Sequence, residues 1–161
     1  MNKGLIIVDY QYDFACPSGS LYVKGAEELS SKITKLSKEL KQQGWHIIAS
    51  KDWHPKDHYS FSQWPIHCVE NTKGSEFYFD SSYVDLTIKK GNKKDIESYS
   101  GFFDEKGNSN GLDEYLKKHN ITELEIVGVV TEVCVKATYD DAIKLGYDAH
   151  INLDYCKGFE Q

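Results

Sequence analysis

The sequence predicts a three-layer α/β domain: a mostly parallel, doubly wound sheet with helices on both faces. Two observations carry this. Short apolar, β-branched runs alternate along the chain with segments of helical period, the order expected of parallel strands joined by crossover helices. The clearest runs, such as LIIV (5–8), are apolar without alternation, as in strands buried on both faces. A chain of 161 residues, 40% hydrophobic, is long enough to close one core as a single domain over 1–161.

LIIV (5–8) is the first strand and ends at Asp9. In GAEELSSKITKLSKELKQQG (25–44), Ala26, Leu29, Ile33, Leu36 and Leu40 recur at steps of three and four, with lysines and glutamates on the other face. Gly44 stands just past the end of that helix. WHIIAS (45–50) is the second strand and VDLTIK (84–89), weaker in pattern, the third. GNKKDIESYSGFFDEKGNSNG (91–111), rich in glycine and polar residues, is a long loop, and LDEYLKKH (112–119) a short helix. LEIVGVV (124–130) is the fourth strand. TEVCVKATYDDAIKLG (131–146) is a helix, with Thr131 its expected N-cap and Gly146 its expected C-cap. YDAHINL (147–153) is the last of five strands.

Composition excludes several functions. A formal net charge of −6 gives nucleic acid no basic surface. No apolar run approaches the ~20 residues of a membrane span, and that in MNKGLIIVDY is too short for a signal peptide. Four cysteines, Cys16, Cys68, Cys134 and Cys156, form no C-x-x-C pair, which fits a reduced, cytoplasmic chain.

In a parallel α/β sheet ligands bind beyond the carboxyl ends of the strands. Asp9 follows the first strand, Asp52 the second, Lys90 the third, and Val130 to Cys134 the fourth. One sheet edge therefore gathers a carboxylate, an ammonium and a thiol. It also gathers histidines: three of the chain's six fall between His54 and His67, too dense for even scatter. In extended chain, residues two apart point the same way, so Asp52 and His54 offer an oxygen and a nitrogen on one side and His67 can close a third corner. Such a trio leaves coordination positions open, as catalytic metal sites do. Histidines clustered in a surface loop are the alternative. His58 reads equally as fourth ligand, outer-shell donor or solvent-facing residue. Cys134, in the first turn of a helix, would find free N–H groups that favour a thiolate and hold an oxyanion, although buried cysteine is more often inert packing. Asp9 is its candidate base and Lys90 its charge partner.

These residues fall in stretches that resemble a known family. IIVDYQYDF (6–14), KDWH (51–54), WPIHC (64–68), KKG (89–91), YSGF (99–102) and GVVTEVCVKATYDDA (128–142) run in the order seen in nicotinamidase/pyrazinamidases of the isochorismatase-like cysteine hydrolases. The D-x-H plus W-P-x-H-C pair is the more specific part, since sister isochorismatases and N-carbamoyl amidases generally lack it. The resemblance implies an isochorismatase-like hydrolase fold and a catalytic triad of Asp9, Lys90 and Cys134. It implies oxyanion donors at Val130 and Cys134 after a cis Val129–Val130 peptide, and Phe14 and Trp64 sandwiching a pyridine ring. One divalent metal ion (zinc, iron or manganese) would sit on Asp52, His54 and His67, with His58 a variable extra ligand. The implied reaction is hydrolysis of nicotinamide, and of pyrazinamide, in NAD salvage. Relatives usually run on into a further helix where DYCKGFEQ (154–161) stops; truncation, an unusually short member of the family or a core completed by a partner in a homo-oligomer would each explain this. Glu132 and Val133 also depart from the residues relatives often carry.

Overall fold

The strands β1 (Asn2–Val8), β2 (His46–Asp52), β3 (Leu86–Lys90), β4 (Ile121–Val129) and β5 (Asp148–Lys157) pair in parallel in the order β3-β2-β1-β4-β5. This computed structural model describes residues 2–160; Met1 and Gln161, the two ends of the predicted domain, lie outside the described residues. The described residues also form four α-helices, α1 (Tyr12–Ala15), α2 (Leu29–Gln42), α3 (Leu112–Lys118) and α4 (Lys136–Lys144).

Strand period decides which residue faces which layer. Leu5, Ile7, Ile47 and Ala49 point to one face, where Leu29 and Ile33 of α2 cover them. Ile6, Val8, Ile48 and Ile126 point to the other, under Leu112 and Leu116 of α3 and Ala142 of α4. Each Leu or Ile so buried stabilises the fold by about 1.5–3 kcal/mol relative to exposure. LIIV is therefore continuous because both sides of β1 are covered, and the three layers are those the sequence predicts.

Several boundaries differ from expectation. β1 starts at Asn2, because Asn2 pairs with Ile121 and its N–H meets Asn120 O at 3.1 Å. β5 runs on to Lys157 past a register irregularity, with Gly128 opposite Cys156. The four-residue α1 has no sequence signal. Thr131 is not a cap: Val130 holds that position with no side-chain bond, Thr131–Val135 is a π-turn, and α4 begins only at Lys136. Gly146 ends the segment as expected, with φ of 92° and its N–H on Ile143 O. Among the described residues, no helix is long and apolar enough to cross a membrane.

The chain leaves β1 toward β2 and β3 on one side and returns to place β4 and β5 on the other. The connections diverge between the carboxyl ends of β1 and β4, which opens the crevice where such sheets bind ligands.

Candidate active site

The sheet delivers the four strand-end groups to that crevice. Asp9, immediately after β1, is fully buried with a left-handed φ of 49° and donates its N–H to Ser50 O at 3.0 Å. Asp52 and Lys90 end neighbouring strands in register. Cys134 lies in the π-turn after β4, just beyond a cis Val129–Val130 peptide, and is 6% exposed.

Lys90, fully buried, organises the cluster. Its ammonium donates to Asp52 Oδ1 at 2.9 Å, Ser98 O at 2.7 Å and Cys134 Sγ at 3.7 Å. Asp9 Oδ2 is 2.8 Å from the same nitrogen as an ion pair, and Ser50 Oγ serves the other oxygen, Oδ1, at 2.8 Å. Burial pushes the Asp9 carboxyl up to about 6, Lys90 pulling it down and Asp52 pushing it further up. Burial also pulls Lys90 down, but the charges of Asp52, Asp9 and Cys134 hold it well above its ordinary value. The Cys134 thiol is pushed well up, by burial first and by Asp9 and Asp52 against the pull of Lys90. Burial and the two acids thus oppose the thiolate that a helix start alone would favour.

Asp52 faces the histidines with its second oxygen. Oδ2 is 3.5 Å from His54 Nε2 and 3.6 Å from His67 Nε2, and all three residues are buried. His54 Nδ1 meets Gly91 O at 2.7 Å and His67 Nδ1 meets Pro65 O at 2.7 Å. A carbonyl only accepts, so each Nδ1 carries a hydrogen, which leaves each Nε2 facing Asp52 as the ring atom placed to ligate a metal. His54 Nε2 has no hydrogen-bond partner among the described residues. Donors around one tetrahedral zinc at ordinary bond lengths stand about 3.4 Å apart, so this trio fits a divalent ion. Burial pushes Asp52 up, but Lys90 and the two imidazoles hold it well below the usual carboxylate range, as a ligand requires. Gly91 makes room for the arrangement: at its φ of 65° a Cβ would stand 2.5 Å from His54 Cε1.

His58 proves to be neither solvent-facing nor one of this trio. It is 2% exposed, its Nε2 meets Ile96 O at 2.9 Å, its Nδ1 meets Ser60 Oγ at 2.7 Å, and its ring stacks on His54 at 4.2 Å. Its ligating atoms do lie near those of His54 and the buried Glu97, a second possible metal group. With both ring nitrogens engaged, His58 stands behind His54 as an outer-shell support.

A crevice joins these parts, and Phe14, Trp64, Asp52, His67, Val130 and Cys134 line it. Glu97, Tyr99 and Phe159 line it too, and sequence reasoning missed them. Also missed were Gln11 and Asp13, which the reading of IIVDYQYDF (6–14) left without a role. Gln11 is fully buried and clamps the backbone of Asp52, donating to its O at 2.8 Å and accepting from its N at 2.9 Å. Asp13 Oδ2 accepts from Cys68 N at 2.8 Å, next to His67. Their i, i+2, i+4 spacing with Asp9 was the available signal.

A parallel sheet with a thiol, a carboxylate and an ammonium together at its switch point defines a class, the α/β cysteine hydrolases. Within it, the chain belongs to the isochorismatase family, whose Isochorismatase domain matches residues 3–161. It is 36% identical to the nicotinamidase of Saccharomyces cerevisiae over 96% of this chain and 88% of that protein. In three dimensions it resembles PnC1 from L. infantum, solved in complex with nicotinate, at a TM-score of 0.94 and 33% identity over 99% of this chain and 83% of that one. The pyrazinamidase of Pyrococcus horikoshii, in complex with zinc, superposes at 0.92 with 36% identity over 99% and 88% of the two chains.

Proposed function

We propose that this chain is an amidohydrolase that converts nicotinamide to nicotinate and ammonia, and accepts pyrazinamide, through a cysteine thioester in NAD salvage. The observation that carries the assignment of roles is the Asp9 carboxylate: buried, ion-paired to Lys90 at 2.8 Å, and within interaction range of the Cys134 thiol.

Asp9 takes the Cys134 proton, and the sulfur attacks the carboxamide carbon. Lys90, already bonded to Sγ, balances the negative charge as it moves from carboxylate to sulfur. The amides of Val130 and Cys134 receive the developing oxyanion. The C–N bond breaks as Asp9 returns the proton to departing ammonia. Water then attacks the thioester with Asp9 again as base, releasing nicotinate and restoring the thiol. Phe14 and Trp64 hold the ring between them. Asp52, His54 and His67 would hold the divalent ion, be it zinc, iron or manganese. When bound, that ion supplies an electrophilic point that orients the ring nitrogen and ordered water. The four free cysteines support a cytoplasmic setting.

The test is an ammonia-release assay on nicotinamide and pyrazinamide beside an N-carbamoyl substrate. Release from the two aromatic amides is expected; preference for the carbamoyl compound would move the chain to a sister activity. Cys134→Ala should abolish release while leaving the circular dichroism spectrum unchanged, and retention of most activity would remove the nucleophile assignment.

A further inference from the structure

The turn that carries Cys134 also carries a carboxylate, two positions earlier, that the chemistry does not use. Glu132 Oε1 accepts from Phe159 N at 2.8 Å and Oε2 accepts from Glu160 N at 3.1 Å. Charge-assisted bonds of this kind are about twice as strong as neutral ones, and here they hold the segment that follows β5. The preceding residue is shaped to the same contact: a Cβ on Gly158 would lie 2.7 Å from both Glu132 oxygens. The product of the clamp is the placement of one ring. Phe159 stacks on Trp64, with centroids 6.1 Å apart and planes at 24°, and lines the crevice with Cys134. It is still 42% exposed, so burial alone does not hold it there.

We propose that Phe159 is a substrate-contacting residue, the outer aromatic wall of the ring pocket, and that Glu132 is the positioning residue that sets it. The inference rests on the amidase reading and extends it. Through one carboxylate, the turn bearing the nucleophile also fixes the distance of the pocket wall from the sulfur. A flat heteroaromatic amide gains the Phe159 face in addition to Trp64. The chemical step, which needs only Asp9, Lys90, Cys134 and the oxyanion amides, does not.

Steady-state kinetics on nicotinamide, with nicotinate as competitive inhibitor, test this on the metal-loaded protein. Phe159→Ala should raise KM and the nicotinate inhibition constant together by about three- to ten-fold, the worth of one aromatic contact, with kcat little changed. Phe159→Tyr, which keeps the ring, should stay near wild type. Glu132→Gln presents an amide N–H to one of the two backbone donors, and Gly158→Ala crowds the carboxylate; both should raise KM in the same direction. Glu132→Gln added to Phe159→Ala should do no further harm, because both act through one ring. The inference fails if Phe159→Ala leaves KM and the inhibition constant unchanged. It fails also if kcat falls at constant KM, or if the effects of the two substitutions add. Wild-type protein that releases no ammonia from nicotinamide would instead remove the amidase reading itself, so the two failures are distinguishable.

Discussion

Replacing Lys90 by methionine keeps the length of the side chain and removes its charge. In the native protein the ammonium is fully buried, 2.8 Å from Asp9 and 2.9 Å from Asp52. Without it two buried carboxylates face each other with no shared counter-charge. Breaking a buried ion pair from one side costs about 3–5 kcal/mol, against a total stability of about 5–15 kcal/mol for an ordinary domain. For a chain of this size each kcal/mol moves Tm by roughly 2–4 °C, so melting should fall by about 6–20 °C. Thermal unfolding at neutral pH, followed by circular dichroism with and without added zinc, measures this. Two companion measurements identify the cause. Adding Asp9→Asn to Lys90→Met removes one stranded charge and should restore part of the loss. Zinc gives Asp52 a new partner and should stabilise Lys90→Met more than wild type. If Lys90→Met melts with the wild-type protein, the ammonium is not what allows the two acids to be buried. The charge-balancing role given to it in the reaction then falls too.

Further outcomes follow from the same geometry. Burial holds Asp9 up at about 6, with Lys90 lowering it and Asp52 raising it. As pH falls through about 6 this carboxylate takes up a proton and can no longer accept one from the thiol. The acid limb of kcat/KM should therefore descend there, and a flat profile between about pH 5 and 7 would contradict Asp9 as base. Chelation followed by dialysis should lower turnover, and zinc, iron or manganese should restore it; turnover indifferent to metal would leave Asp52, His54 and His67 without that role. Gly91→Ala places a Cβ against His54 and disturbs the carbonyl that orients it. Metal affinity, read by competition with a coloured chelator, should weaken by about 10–100-fold, and unchanged affinity would refute the steric argument.

The parts legible in the sequence were those that obey a period or sit at a strand end. LIIV betrays a strand covered on both sides, and steps of three and four betray the inner face of α2. Asp9, Asp52, Lys90 and Cys134 could be drawn together because parallel strands bring their ends to one edge. What escaped obeys no period. The four residues of α1 complete little more than one turn, so no repeat can form. The π-turn at Thr131–Val135 is written as an ordinary helix start. The second half of β5 is hidden by its register irregularity and by exposed residues such as Leu153. Phe159 is one aromatic near the end of the sequence, and nothing in the neighbouring letters tells that a carboxylate 27 residues earlier binds its backbone.

The order of the strands has a consequence for how the protein comes into being. β1 pairs with β4, so Ile6 lies beside Ile126 across most of the chain. Contacts between such distant positions make folding slow, and Asp9 and Cys134 sit on the two sides of that last long closure. Until β4 is in place the base has no sulfur to serve. Turnover is thus a late reporter, returning after helical circular dichroism has recovered, and a ribosome-bound fragment lacking β4 is chemically silent however well its first half has formed.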